Sequence, residues 1–263
     1  MAIQKTITPI DNSIYLERPL ASENEINEIL DNAKSSFIEW RNTSIDERII
    51  VINKFIDNLL ALKEEISKEI CWQIGRPISQ CGNELRGFEE RSRHMVDIAK
   101  TSLENIPARK NDEFDNYIYK SPLGVIFVMA PWNYPVITAT NTIVPALLSG
   151  NTLVLKHSSQ TPRCAELINQ AFEGTGLPKG VFQFVHTNHE ACEKIISDPR
   201  VAHVVFTGSV RGGQEVKKYI GTRFINVGLE LGGKDPAYVK SDADVSHAVE
   251  NLVDGALFHS GQS

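Results

Sequence analysis

The chain has 263 residues, 41% apolar and 23% charged, which is typical of a globular protein with one or two hydrophobic cores. Its net charge of −6, without a long basic run, argues against a nucleic-acid partner. The apolar runs are too short or interrupted to cross a bilayer. The 4 scattered cysteines predict neither a disulfide framework nor a metal site. We therefore expect a protein of the reducing cytoplasm without a membrane partner.

The first hundred residues carry helical patterns. Apolar residues recur at helical spacing over 22–40. Ser44 and Glu47 form a capping-box pair that begins a second amphipathic helix, which the Gly75–Pro77 segment ends. A third helix is predicted over about 79–102.

Beyond residue 106 the pattern changes. A polar turn is predicted at Asn111–Glu113 and an extended arm at 117–122. Strands and helices then alternate: strands over 124–129, 152–156, 181–186 and 202–206, and helices over 136–148, 162–174, 190–197 and 213–220. This alternation predicts βαβ units, and thus an α/β, Rossmann-like fold with a mostly parallel sheet between helices. Such sheets bind ligands outside the carboxyl ends of their strands.

Asn133 follows the first strand of this sheet. Pro131 and Pro135 fix the backbone on either side, so the Asn133 amide could donate a hydrogen bond into a cleft, as in an oxyanion hole. The alternative is that Asn133 caps the helix that follows.

Lys156 ends the second strand, where its ammonium group could hold a phosphate or a ribose hydroxyl. The alternative is an ordinary surface lysine. His157 is interpreted as a surface or hydrogen-bonded histidine without a chemical role. Thr161 precedes a proline and is predicted to be the N-cap of the next helix.

The fourth strand leads into a glycine turn that contains Gly208, Ser209 and Gly213. Its backbone amides could approach a pyrophosphate at the following helix, or the turn could be a plain left-handed one. Glu230 ends the next apolar run, before two glycines. A carboxylate in a strand-end pocket could act as a general base, or it could form an ion pair with Lys234 or another cation.

Together and in this order, these motifs resemble the aldehyde dehydrogenase superfamily. The matching segments are Pro131–Trp132–Asn133–Tyr134–Pro135, Lys156 with Thr161–Pro162, Phe206–Thr207–Gly208–Ser209, Leu229–Glu230–Leu231–Gly232–Gly233–Lys234 and Ser260–Gly261–Gln262–Ser263. The resemblance implies an NAD(P)-dependent oxidation of an aldehyde to a carboxylic acid. In that reaction a cysteine thiolate attacks the aldehyde, hydride passes to NAD or NADP, and water releases the acid from a thioester.

The resemblance also implies residue roles. Asn133 matches the oxyanion donor and Glu230 the base that activates water. On the cofactor side, Lys156 matches the residue that holds the adenosine ribose. The remaining cofactor positions are Trp132 in the groove and Gly208, Ser209 and Gly213 at the pyrophosphate turn.

Two departures from the family pattern matter. Many NAD-preferring relatives carry a glutamate three residues beyond the lysine, whereas this chain has Ser159, which would not repel a 2′-phosphate. We therefore expect NADP to be accepted, alone or alongside NAD. The family's nucleophilic cysteine would directly follow Ser263, so we expect this chain to be the N-terminal portion of a longer enzyme, inactive by itself.

The domain boundaries follow from the same resemblance. Residues 1–106 form the N-terminal helical part of the cofactor domain, 107–122 an oligomerisation arm, 123–231 the Rossmann-like core and 232–263 the start of the catalytic domain. The arm predicts a homo-oligomer. Two alternatives remain: a CoA-acylating relative, which Glu230 disfavours, and a non-catalytic nucleotide-binding or interaction module.

Overall fold

The computed structural model describes residues 2–108 and 113–263. An antiparallel hairpin opens the chain, with β1 (Ile3–Ile7) paired to β2 (Ile14–Pro19). This hairpin is not predicted from the sequence, because its polar residues are buried and its apolar residues are exposed. Thr6 and Thr8 are buried, whereas Ile3 and Ile14 are exposed.

Four helices follow the hairpin: α1 (Glu23–Trp40), α2 (Ile45–Ala61), α3 (Lys63–Ile74) and α4 (Ile78–Leu103). The capping box of Ser44 and Glu47 is complete, which confirms the predicted start of α2. The single helix predicted from there to Gly75 is wrong, because the chain leaves helical geometry at Leu62 (φ −87°, ψ 11°). Neither glycine nor proline marks the break, so it follows from the packing of α3 on α4 and α6 (Pro162–Ala171).

A short ribbon begins one residue before the predicted arm: β3 (Ile106–Pro107) pairs antiparallel with β4 (Tyr117–Ile118). Residues 109–112, which include Asn111 and Asp112 of the predicted turn, lie outside the described residues. No helix in the described ranges has the length and apolar character needed to span a bilayer.

The α/β core confirms the predicted fold class. Its remaining elements are β5 (Val125–Ala130), α5 (Ile137–Leu148), β6 (Thr152–His157), β7 (Phe182–Phe184), α7 (His189–Ser197), β8 (Val201–Gly208), α8 (Val210–Ile220) and β9 (Val227–Leu231). The five strands of this sheet are parallel in the order β7-β6-β5-β8-β9. The sequence predicted β7 too long, at 181–186.

The two faces of the sheet carry separate helix layers. Ile126, Val128 and Ala130 belong to the apolar cluster formed with α2, α4, α5 and α6, and we call this side the α5 face. Phe127 and Met129 belong to the cluster formed with α1, α7 and α8, which we call the α8 face. Beyond the sheet, α9 (Val245–Leu257) has no buried residue and leads into a 3₁₀ turn, Phe258–Gly261.

Candidate active site

The strand order places a topological switch point between β5 and β8. From β5 the chain continues to β6 and β7 on one side, then crosses to β8 and β9 on the other. In open parallel sheets such a point leaves a crevice outside the carboxyl ends of the two strands. In this chain the two strands end at Ala130 and Gly208, and Trp132, which is 43% exposed, follows the end of β5.

The strand register assigns the candidate residues to opposite faces. Lys156 pairs with Met129, which pairs in turn with Phe206, so the half-buried lysine lies in the row of the α8 face. Glu230 pairs with Thr207, one position further along β8, and side chains alternate along a strand. Glu230 therefore lies on the α5 face.

The N-terminus of α8 presents backbone N–H groups at the carboxyl edge of the sheet. Ser209 is its N-cap, and its hydroxyl accepts a hydrogen bond from the N–H of Gly212 at 3.0 Å. The N–H groups of Val210 and Arg211 precede the first intrahelical hydrogen bonds. Free N–H groups and the helix dipole favour an anion at this position.

Close packing explains the glycines of this turn. A Cβ atom at Gly208 or Gly212 would lie 2.6 or 2.5 Å from Cζ of Phe206, and one at Gly213 would lie 2.5 Å from Cδ2 of Leu231. None of these three glycines has a positive φ, so the alternative of a left-handed turn is wrong.

His157 ties the end of β6 to the loop that carries Asn133. Its Nε2–H donates to the carbonyl of Pro135 at 2.8 Å, and its Nδ1 accepts from the Ser158 N–H at 3.0 Å and the Thr161 hydroxyl at 2.9 Å. Thr161 is at the predicted N-cap position of α6, but its hydroxyl does not cap that helix. Burial lowers the pKa of His157 to about 4, so the ring is neutral.

Asn133 contacts the C-terminal segment directly. Its side-chain Nδ2 donates to the carbonyl of Gln262 at 2.8 Å, its Oδ1 accepts from the Tyr134 N–H at 3.1 Å, and its carbonyl accepts from Nε2–H of His259. The alternative that Asn133 caps α5 is wrong, because the N-cap residue is Val136.

The segment that meets Asn133 has an unusual backbone. His259 (φ 54°), Ser260 (φ 56°) and Gly261 (φ 72°) are consecutive left-handed residues. For residues with a side chain this conformation costs about 1–3 kcal/mol and persists only where contacts enforce it. One such contact is the 2.9 Å hydrogen bond from Nε2 of Gln262 to the carbonyl of Ile74.

Glu84, which the sequence analysis missed, caps α5 from outside that helix. Its Oε1 accepts from the N–H groups of Val136 (2.7 Å) and Ile137 (3.2 Å), and its Oε2 accepts from Nη1 of Arg76 at 3.0 Å. Arg76 also lies 5.4 Å above the ring of Tyr134. Burial raises the pKa of Glu84, and the two N–H groups and Arg76 oppose this by stabilising the carboxylate.

A sequence signal for Glu84 did exist. Glu84 lies within the buried apolar stripe of α4, together with Cys81, Leu85 and Phe88. A charged residue on the buried stripe of a helix requires a buried partner. Arg76 belongs to the Gly75–Pro77 segment that ends a helix, and nothing in that segment indicates its pairing with Glu84.

Glu230 is exposed at the end of β9, an edge strand, and within the described residues it forms no ion pair with Lys234. The desolvating pocket expected from the sequence is not supplied by the residues around it. Two strand spacings, about 10 Å, separate the rows of Ala130 and Glu230 on the α5 face.

All four cysteines are free thiols, and Sγ of Cys81 donates to the carbonyl of Arg76 at 3.5 Å. Cys81, Cys164 and Cys192 are buried in helices, and Cys71 is half-buried in α3. Burial raises the pKa of each thiol, to about 11 for Cys81. A thiol with a raised pKa is a poor nucleophile at neutral pH.

The buried ion pair yields a stability prediction. Glu84→Gln keeps an acceptor for the α5 N–H groups but leaves the Arg76 charge unpaired, so we expect a loss of about 3 kcal/mol in unfolding free energy. Urea denaturation measures it. Asp57→Asn, which breaks the exposed pair with Arg93, is the control and should cost under about 1 kcal/mol. Equal losses in the two variants would contradict this assignment.

The neutral His157 yields a pH prediction. The native ring takes a proton only near pH 4, whereas an unfolded histidine does so near its ordinary pKa of 6.5. Stability from this ring is therefore complete above pH 6.5 and lost as the pH falls towards 4, by at most about 1.4 kcal/mol per pH unit. Unfolding free energies of the wild type and His157→Gln should converge over this window. Parallel curves would refute the prediction.

The fold agrees with comparisons to known proteins. The model of the aldehyde dehydrogenase family matches residues 2–263. A succinate semialdehyde dehydrogenase [NAD(P)+] of Escherichia coli is 33% identical, over 98% of this chain and 57% of its own length. A succinate-semialdehyde dehydrogenase [NADP(+)] of Mycobacterium bovis is 32% identical, over 98% of this chain and 57% of its own length.

Solved structures give the same result. Succinic semialdehyde dehydrogenase from Streptococcus pyogenes, in complex with NADP+, has a TM-score of 0.92 and 25% identity, covering 99% of this chain and 57% of its own. NADP-dependent glyceraldehyde-3-phosphate dehydrogenase from Bacillus halodurans, complexed with NADP, has a TM-score of 0.91 and 29% identity. The match covers 100% of this chain and 56% of that protein's chain. This chain thus spans slightly more than half the length of these relatives, and it belongs to the aldehyde dehydrogenase family.

Proposed function

We propose that this chain binds NADP(H), and also NAD(H), at the carboxyl edge of its sheet, and that it contributes to the oxidation of an aldehyde to a carboxylic acid. The observation that carries the proposal is the strand order, which puts a switch point between β5 and β8 and leaves Lys156, Ser209 and the N-terminus of α8 on the α8 face of that edge. The relatives named above, which act with NADP or with NAD(P), support this choice of cofactor.

The residues present fit a dinucleotide. The free N–H groups after Ser209 suit a pyrophosphate, and the ammonium group of Lys156 suits ribose hydroxyls. Gly208, Gly212 and Gly213 let this turn pack against the side chains of Phe206 and Leu231. Ser159 is exposed and its hydroxyl has no partner among the described residues, so it leaves room and a donor for a 2′-phosphate. Trp132 would lie along the groove. When bound, the nicotinamide would accept a hydride.

We propose catalytic roles for two further residues, Asn133 in the loop between β5 and α5 and Glu230 on the α5 face. We assign Asn133 to stabilising an oxyanion, because its Nδ2 donates to a carbonyl oxygen, that of Gln262, in this structure. We assign Glu230 to accepting a proton from water. The relatives' names include succinate semialdehyde and D-glyceraldehyde, so the substrate is proposed only at the level of an aldehyde.

The arm supports a homo-oligomer. Ile106, Tyr117, Ile118 and Tyr119 are each 47–66% exposed, and the β3–β4 ribbon leaves strand edges free among the described residues. An exposed apolar ribbon of this kind pairs readily with another chain. We propose that its partner is a second copy of this protein.

Cofactor binding is tested by titrating the purified chain with NADPH and NADH and following nicotinamide fluorescence. Lys156→Ala should weaken both by about tenfold, since a charged hydrogen bond is lost. Ser159→Glu should weaken the binding of NADPH by more than about tenfold, because the carboxylate repels the 2′-phosphate, and should leave the binding of NADH unchanged. Lys240→Ala, at an exposed position, is the control.

Absence of binding in the wild-type chain would overturn the proposal. A strong preference of the wild type for NADH would overturn the role of Ser159. Tight binding that Lys156→Ala leaves unchanged would favour a nucleotide-binding module with a different site.

A further inference from the structure

The β1–β2 hairpin contacts the loop that carries Ser159. The hydroxyl of Thr6 donates to the carbonyl of Ser159 at 2.8 Å, and Nε2 of Gln4 donates to the same oxygen at 3.3 Å. In the opposite direction, Nε2 of Gln160 donates to the carbonyl of Ile7 at 2.8 Å. These bonds join residues about 150 positions apart in sequence.

The loop is otherwise a tight turn with Ser159 at its apex. The Thr161 N–H donates to the carbonyl of Ser158 at 3.0 Å, and the Gln160 N–H donates to the Ser158 hydroxyl at 3.2 Å. The hairpin bonds therefore take up the carbonyl of Ser159, while its side chain stays exposed. A fixed carbonyl restricts the direction in which the neighbouring Cα–Cβ bond points.

The hairpin is itself anchored to the core. Arg18 makes a bidentate pair with Glu166 of α6, at 2.5 and 3.0 Å, and Arg163 binds the same carboxylate at 3.0 Å. Tyr15 stacks on Trp72 of α3 with ring centroids 5.4 Å apart. Anchors to two helices make the hairpin a firm support for the loop.

We propose that the N-terminal hairpin is part of the cofactor site: Thr6, assisted by Gln4, is a positioning residue that aims the Ser159 side chain at the 2′ position of the adenosine ribose. This rests on the proposed function, because it assumes a dinucleotide above Lys156 and Ser159. NADPH carries a phosphate at this position and NADH a hydroxyl, so a misplaced Ser159 weakens NADPH selectively.

The test compares Thr6→Val with the wild type in NADPH and NADH titrations. Valine keeps the size of the buried side chain and removes the donor. Losing one hydrogen bond of ordinary strength changes a dissociation constant about fivefold. The Kd for NADPH should therefore rise about fivefold and the Kd for NADH less than about twofold. Lys5→Ala, next on the strand and exposed in a pair with Glu17, should change neither.

Melting temperatures of each variant, measured in parallel, distinguish a loss of folding stability from a change in the position of the Ser159 side chain. Equal weakening of both cofactors by Thr6→Val, or no weakening, would overturn the proposal. Should Thr6→Val fail to fold, Gln4→Ala at a half-buried position is the second probe, with the same selective effect expected at about twofold. A wild-type chain that binds neither cofactor would instead overturn the proposed function, and the hairpin's role with it.

Discussion

The alternation of side chains along five parallel strands is the constraint on which the candidate site depends. Because parallel strands end at one edge, the residues after β5, β6, β8 and β9 meet there. Because neighbours along a strand point to opposite faces, Lys156 lies on the α8 face and Glu230 on the α5 face. The edge therefore presents these two side chains on opposite sides of the sheet, and a one-residue slip in the register of β6 or β9 would move its side chain to the other face.

The α5 face has its own support, centred on a buried charge. Glu84 joins the start of α5 to Arg76, and Arg76 lies over Tyr134, next to Asn133. A buried ion pair adds little stability compared with apolar residues of the same size, but losing one partner is costly. We infer that this pair fixes the geometry of the loop that carries Asn133. The strained turn at His259 is held against the same loop.

The sequence predicted those features that depend on local rules. Serine caps, strand–helix alternation and the order of motifs led to the α/β fold and to the residues of the edge. Features that depend on tertiary contacts were missed: the inverted hairpin with buried Thr6, the break at Leu62 without glycine or proline, and Glu84, whose partners lie on other elements. The motif around Glu230 likewise predicts a pocket that removes the carboxylate from water, whereas the carboxylate is exposed in the structure.

The most direct test of the two-sided edge is a ¹H–¹⁵N NMR titration of the chain with NADPH. The largest amide shifts should fall on Ser159, Ser209 and Gly212, around the α8 face, with smaller shifts at Gly228 and Glu230 on β9. Shifts concentrated on β9, or spread evenly over the molecule, would contradict the division of the edge into a cofactor side and a catalytic side.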